Sequence, residues 1–212
     1  MATVRSRLPG EAEQFAEPMS GPFEVAGIAS SAGGLMALRR LLSSLPADFP
    51  AAVVVVQHLD PRHRSRLAQI LARHTALGVR EAREGDRLCP GTVFTAPPDR
   101  HLLINPEGTL TLSRAGMVRF LRPSADLLFE SLAQTYGKRA IAVVLTGAGK
   151  DGAAGVVAVK RMGGIVIAQD RGSSEFFGMP GAAIESGCAD YVLPLDEISA
   201  RLVLLAKAGV AK

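Results

Sequence analysis

The sequence predicts a doubly wound α/β domain: a mainly parallel, Rossmann-like sheet with helices on both faces and a small antiparallel excursion. Three observations lead there. The run Ala52 to Gln57 is β-branched without polar alternation, as a strand covered on both faces requires. Segments of this kind alternate with helical segments over short connections, which implies parallel strands joined by right-handed crossovers. The composition, 48% hydrophobic but only 5% aromatic, suits an aliphatic core of Val, Leu, Ile and Ala.

The elements follow in order. Val25 to Ser30 reads as the first strand, and Gly33 and Gly34 open a helix that runs to Leu45. Ala52 to Gln57 is the second strand, and a polar turn at Asp60 to His63 leads to a helix from Ser65 to His74. Val79 to Glu81, Thr92 to Ala96, His101 to Ile104 and Leu110 to Ser113 are short strands separated by Gly, Pro, Asp and Asn. These four are expected to form an antiparallel excursion on one edge, with a hairpin turn at Asn105 to Gly108. Alternation then resumes with a helix over Asp126 to Tyr136, a buried strand over Ala140 to Leu145 and a helix over Gly152 to Met162. A strand at Ile165 to Gln169, a helix near Met179 to Ser186, a strand at Tyr191 to Leu193 and a helix from Asp196 to Ala208 complete the pattern.

This places one domain over residues 23–208. Residues 1–22, rich in Pro, Gly and small polar residues, read as a disordered leader or linker remnant, and 209–212 as a tail. The longest dense apolar run, Ala51 to Val56, is far shorter than the roughly 20 residues a bilayer crossing needs, so neither membrane insertion nor a secretory signal is expected. Cys89 and Cys188 lie far apart without metal-site spacing and read as reduced thiols, which points to the cytoplasm. The net charge of +4 is spread along the chain without aromatic interleaving or a recognition module, so nucleic acid is not an expected partner. The local basic stretch Arg62, His63, Arg64 and Arg66 is read as a solvated helix face, with steering of an acidic partner as the alternative.

In an open parallel sheet, ligands bind outside the carboxyl ends of the strands, and three polar signals fall there. Ser30-Ser31-Ala32-Gly33-Gly34 lies between a strand and a helix. The glycines permit a sharp turn, and the helix start offers unpaired N–H groups and a positive dipole end. Such a turn can present a nucleophilic serine, cradle a phosphate or simply begin a helix, although both standard nucleotide fingerprints are missing. Gln57-His58 ends the second strand, so His58 is a general-base candidate. A rival grouping of His58, Asp60 and His63 as zinc ligands lacks any supporting His or Cys cluster, and no metal or other cofactor is expected. Thr146-Gly147-Ala148-Gly149-Lys150-Asp151-Gly152-Ala153 follows the third buried strand, with Asp151 placed to cap the next helix. Together Ser31, His58 and Asp151 supply the nucleophile, base and orienter of acyl transfer, each from a different strand end.

Ala26-Gly27-Ile28-Ala29-Ser30-Ser31-Ala32-Gly33-Gly34-Leu35, Val55-Val56-Gln57-His58-Leu59 and Thr146 through Gly155 resemble the serine, histidine and aspartate motifs of the chemotaxis-receptor methylesterases (protein-glutamate methylesterase/glutaminase). Gly85-Asp86 with Pro90-Gly91, Ala96-Pro97-Pro98-Asp99-Arg100-His101, Arg122-Pro123-Ser124-Ala125-Asp126 and Phe177-Gly178-Met179-Pro180 agree, so the resemblance covers about Val25 to Leu205. It implies hydrolysis of γ-glutamyl methyl esters, and deamidation of glutamines, on the helices of methyl-accepting chemoreceptors. It also implies Ser31 as nucleophile, His58 as base and Asp151 as orienter. Backbone oxyanion donors at Ala32 and Ala148 and cleft positions at Arg122 and Met179 come with it.

Three departures stand out. Ala29-Ser30 replaces the Gly-Ala usual before the serine, and Ala148 stands where methionine is common. If the missing glycine needed a positive φ, Ala29 would strain the turn, while Ser30 adds a competing hydroxyl. The receiver domain that usually precedes the catalytic one has no counterpart in residues 1–22. That leaves a constitutively open enzyme, a separate regulatory partner, or a fragment. Two other functions stay in view: a non-catalytic receptor-binding signalling module, and a hydrolase of the same fold for a non-receptor substrate.

Overall fold

The computed structural model describes residues 24–59 and 65–207. The leader, the turn with Asp60, Arg62, His63 and Arg64, and the tail lie outside those residues. Among the described residues nine strands and six α-helices follow one another as β1 (Val25–Ser30), α1 (Gly34–Ser43), β2 (Ala52–Gln57), α2 (Leu67–Leu71), β3 (Gly78–Glu81), β4 (Thr92–Thr95), β5 (His101–Ile104), β6 (Leu110–Ser113), α3 (Ala125–Tyr136), β7 (Ala140–Val144), α4 (Ala153–Arg161), β8 (Ile165–Gln169), α5 (Gly178–Glu185), β9 (Tyr191–Leu193) and α6 (Leu195–Lys207). No described helix is long and apolar enough to cross a membrane.

Seven strands form one parallel sheet in the order β3-β4-β2-β1-β7-β8-β9. From β1 the chain builds outward to one edge, then returns to add β7, β8 and β9 on the other side. The winding therefore reverses between β1 and β7, and that switch point is where a doubly wound sheet opens a crevice for ligands. Ser30 is in register with Gln57, and Ala29 with both Val56 and Val144, so β2, β1 and β7 end level with one another.

The four short middle strands are not all antiparallel. Only β5 and β6 form the expected hairpin, closed at Asn105 to Gly108 by the Gly108 amide donating to Asn105 O. The strands β3 and β4 pair in parallel and extend the main sheet, with Val93 in register with Val53 and Val79. Their connection carries no helix, so the segment lacks the periodicity that announces a crossover. The second helix also stops early. After Leu71 the amides of Arg73 and His74 donate three residues back, to Ile70 and Leu71, tightening the chain out of the α-helix.

The period of two along each strand sorts side chains onto two cores. Val25, Ala29, Ala52, Val54 and Val56 face α3, α4, α5 and the hairpin. Ala26, Ile28, Val53 and Val55 face α1, α2 and α6. Phe129 and Leu132 of α3 lie directly over Gly27, where a methyl group would approach Leu132 Cδ2 to 2.8 Å. That glycine lets α3 sit close against β1, with its N-terminus at the carboxyl edge of the sheet. Each fully buried side chain such as Leu128, Phe129 or Leu132 contributes about 1.5–3 kcal/mol relative to exposure.

Candidate functional site

At the end of β1 the chain turns through Ser31, Ala32 and Gly33 into α1. Gly33 has φ 75°, a left-handed conformation that favours glycine. Gly34 is required by proximity, because a methyl group there would lie 2.2 Å from Gln57 Oε1 and 2.7 Å from Ser30 Cβ. Ala29 lies fully buried within β1 and is not among the residues with positive φ, so it does not strain the turn. Ser30 does not compete for solvent either. Its hydroxyl is buried and donates to Gln57 Oε1 at 2.7 Å, while Gln57 Nε2 donates to the carbonyls of Ser31 (2.8 Å) and His58 (3.1 Å). One glutamine thus ties the end of β2 to the serine turn.

His58 follows Gln57, and its amide donates to Ser30 O at 3.1 Å. Its Nε2 lies 2.8 Å from Asp151 Oδ2. A carboxylate can only accept, so Nε2 carries the proton there and Nδ1 is left as the nitrogen able to take one. The imidazole is mostly buried, its side chain 11% exposed, and the Asp151 carboxylate is almost wholly so. No hydrogen bond joins Ser31 Oγ to His58 among the described residues. Resting geometry of this kind is common before substrate binds.

Asp151 does not cap its own helix. Its carboxylate accepts from the start of α3 instead: Ala125 N to Oδ2 at 2.6 Å, Asp126 N to Oδ1 at 3.2 Å and Ser124 Oγ to Oδ1 at 2.9 Å. With His58 these four donors fill the carboxylate's accepting capacity. Burial works to raise the Asp151 pKa. The bonds from His58 and from the Ala125 and Asp126 amides outweigh it and hold the group below the usual 3.8. Asp126 returns the arrangement, its Oδ1 accepting from Ala154 N (3.0 Å) and Gly155 N (2.9 Å) at the start of α4. Behind Ser124, its amide donates to His101 Nδ1 at 3.2 Å, so His101 Nε2 bears the proton that reaches Gly116 O at 3.1 Å.

The β7 loop closes the other side. Thr146 Oγ1 lies within bonding distance of Ala32 O (3.0 Å) and accepts from Phe176 N at 2.9 Å. A methyl group on Gly147 would lie 2.9 Å from Ser31 Cβ and 2.3 Å from Met179 Sδ. Ser31 and Met179 therefore both pack on that glycine, and Met179 is fully buried, with its amide donating to Gly147 O at 2.8 Å. The amides of Ala32 and Ala148 make no hydrogen bond among the described residues, and both residues reach solvent. Arg122 spends its guanidinium on Asp99 Oδ1 (2.9 and 2.6 Å) and on the carbonyls of Arg114 and Ala115, bracing the 114–122 loop. A cavity of about 430 Å³ beside the turn is lined by Gly33, Arg39, Thr146 and Glu175 but not by Ser31, His58 or Asp151. Of the zinc-ligand rival, Asp60 and His63 lie outside the described residues, and His58 Nε2 is engaged by Asp151.

A buried carboxylate–imidazole pair beside a glycine-rich serine turn can deprotonate a hydroxyl. The model of the CheB methylesterase family matches residues 26–202. The chain belongs to the CheB methylesterase family. A crystal structure of the Thermotoga maritima CheB methylesterase catalytic domain is similar with a TM-score of 0.83 and 40% identity, covering 88% of this chain and 100% of that one. The Moorella thermoacetica protein named protein-glutamate methylesterase/protein-glutamine glutaminase is 44% identical over 97% of this chain and 47% of its own length. Protein-glutamate methylesterase FrzG of Myxococcus xanthus is 42% identical over 94% of this chain and 60% of its own. The chain spans about half the length of the curated relatives it matches.

Within this family fold, several residues around the site were not singled out from sequence as functional. Gln57 and Thr146 flank the motifs and carried a weak signal, as polar residues ending buried strands. Ser124 and Asp126 sit in the Arg122–Asp126 motif, but their link to Asp151 depends on two helices meeting in space.

Proposed function

We propose that this chain, through a catalytic domain spanning about 23–208, hydrolyses γ-glutamyl methyl esters on the cytoplasmic helices of methyl-accepting chemoreceptors. The 2.8 Å contact between His58 Nε2 and the buried Asp151 carboxylate, beside the Ser31 turn, carries the reading. His58 Nδ1 takes the Ser31 proton as Oγ attacks the ester carbonyl. Negative charge develops on the carbonyl oxygen, where the Ala32 and Ala148 amides and the start of α1 are disposed to receive it. Methanol leaves with the proton from His58. Water, activated by the same nitrogen, then resolves the acyl-enzyme to glutamate and regenerates Ser31. Asp151 stays ionised throughout, fixing the imidazole tautomer and stabilising its cation.

An amide carbonyl presents the same electrophile, so the same steps deamidate a glutamine and release ammonia. Several relatives carry both activities in their names. Arg122 and Met179 serve this site by bracing its walls.

The test is methanol release from a methylated receptor cytoplasmic fragment. Ser31→Ala should lower release by about 10³-fold or more while leaving the unfolding curve in place. Undiminished release from that variant would overturn the nucleophile. A folded native protein that releases no methanol would overturn the activity in favour of a binding module or a different substrate.

A further inference from the structure

We infer that Asp126, outside the three reacting groups, is a positioning residue for the reaction: by exchanging helix caps with Asp151, it sets the carboxylate that orients His58. The inference rests on the triad reading above. It starts from an oddity of the two helices involved. Neither α3 nor α4 has a side chain capping its own N-terminus. Each has its first amides bound by a carboxylate from the other helix's start, Asp151 receiving Ala125 and Asp126 N–H and Asp126 receiving Ala154 and Gly155 N–H.

The exchange couples position in both directions. If α4 drifts from α3, Asp151 loses two amides and Ser124 together, and its remaining anchor is His58. What opposes that drift at the site is Asp126. The close approach is built in: a methyl group on Gly155 would meet Phe129 Cβ at 2.6 Å and Asp126 O at 2.9 Å. Both carboxylates are buried. Burial and the Asp151 charge push the Asp126 pKa up, partly offset by the Gly155 and Ala154 amides and by Arg119. Arg119 Nη1 stands 3.8 Å from Asp126 Oδ2 and also donates to Lys150 O at 3.3 Å, next to Asp151. Two buried negative groups side by side are costly for stability. Neither helix needs that cost merely to be capped, since a serine or threonine would serve. The arrangement is accounted for by what it does to Asp151.

The experiment compares Asp126→Ala and Asp126→Asn with Asp190→Ala in the methanol-release assay, together with the low-field proton resonance of His58 Nε2–H. Asp190 is a fitting control because it ties Val166 N and Lys160 away from the site. Asp126→Ala should lower kcat by about 10- to 100-fold with KM within about twofold, as expected for a misplaced reacting group. It should also broaden or shift the low-field proton. Asp126→Asn keeps an acceptor for the α4 amides and should restore most of the rate and the resonance. Asp190→Ala should lose stability but keep its kcat and the resonance. If Asp126→Ala does not fold, Asp126→Ser, whose hydroxyl oxygen caps less fully, should give an intermediate loss. A kcat for the alanine or serine variant equal to that of Asp190→Ala, with the resonance intact, overturns the inference. That result leaves the triad standing, whereas full activity in Ser31→Ala overturns the triad itself.

Discussion

The N-terminus of α1 and those of α3 and α4 lie at the same edge of the sheet and are treated in opposite ways. The first turn of α1 holds no acidic residue and no side-chain cap, and its entry is a left-handed glycine. The starts of α3 and α4 are saturated by two buried carboxylates. A helix start is a region of partial positive charge, and both uses follow from that. Where negative charge is permanent, as on Asp151, the donors are committed to it. In the proposed reaction negative charge arises only during turnover, and the Ala32 and Ala148 amides make no hydrogen bond among the described residues. On that proposal the difference separates the groups that must not move from those that wait for a ligand.

The largest effect should come from breaking the committed side. Asp151→Asn replaces an acceptor with an amide whose NH₂ must face either His58 and the Ala125 N–H on one side or the Ser124 hydroxyl and the Asp126 N–H on the other, donor against donor. Turnover of methylated receptor should fall by about 10⁴-fold. The same variant reports on pH. Because the folded Asp151 pKa lies below 3.8, its contribution to stability is complete above that value and drains away as the pH falls below it. Urea unfolding should therefore show a wide gap between native and Asp151→Asn proteins at pH 7 that narrows as the pH falls below 3.8. A constant gap would mean that Asp151 is not ionised in the folded protein.

A smaller effect should follow from prising the two helices apart. Gly155→Ala places a methyl group against the backbone of Asp126, and its relief by a shift of α4 is opposed by the exchanged caps. The cost should be about 1–3 kcal/mol in chemical denaturation, with kcat reduced in the folded fraction. The smallest effect belongs to the uncommitted side. Leu35→Glu puts an acid into the first turn of α1 and should stabilise that helix by about 0.3–1 kcal/mol. Thermal unfolding should occur at higher temperature while turnover falls, because the resident charge opposes the one that forms. A rise in both would remove the start of α1 from the mechanism.

The two sides also differed in how well the sequence revealed them. The serine turn is a local object: a strand, a hydroxyl, two glycines and a helix, all within ten residues of one another, and its position at the end of β1 was legible. So were the strand ends that carry His58 and Asp151. The role expected for the Asp151 carboxylate as a cap on its own helix was not met, because its amide partners come from α3, beyond the reach of any local pattern. The strands β3 and β4 were misplaced for a related reason. Short strands joined by turns look alike whether they pair with a neighbour in sequence or with β2, and only tertiary register decides. Ser30, a suspected rival hydroxyl, proved to be occupied by Gln57, a partner 27 positions away.

The strands that end at Ser30, Gln57 and Val144 are neighbours in the middle of the sheet, with two further strands on either side. Fraying begins at the borders of a sheet, at β3 and β9, where hydrogen-bonded partners are fewest. The positions that matter most are therefore insulated from the openings that a protein undergoes many times before it unfolds. Loss of the site and loss of the whole sheet become one event.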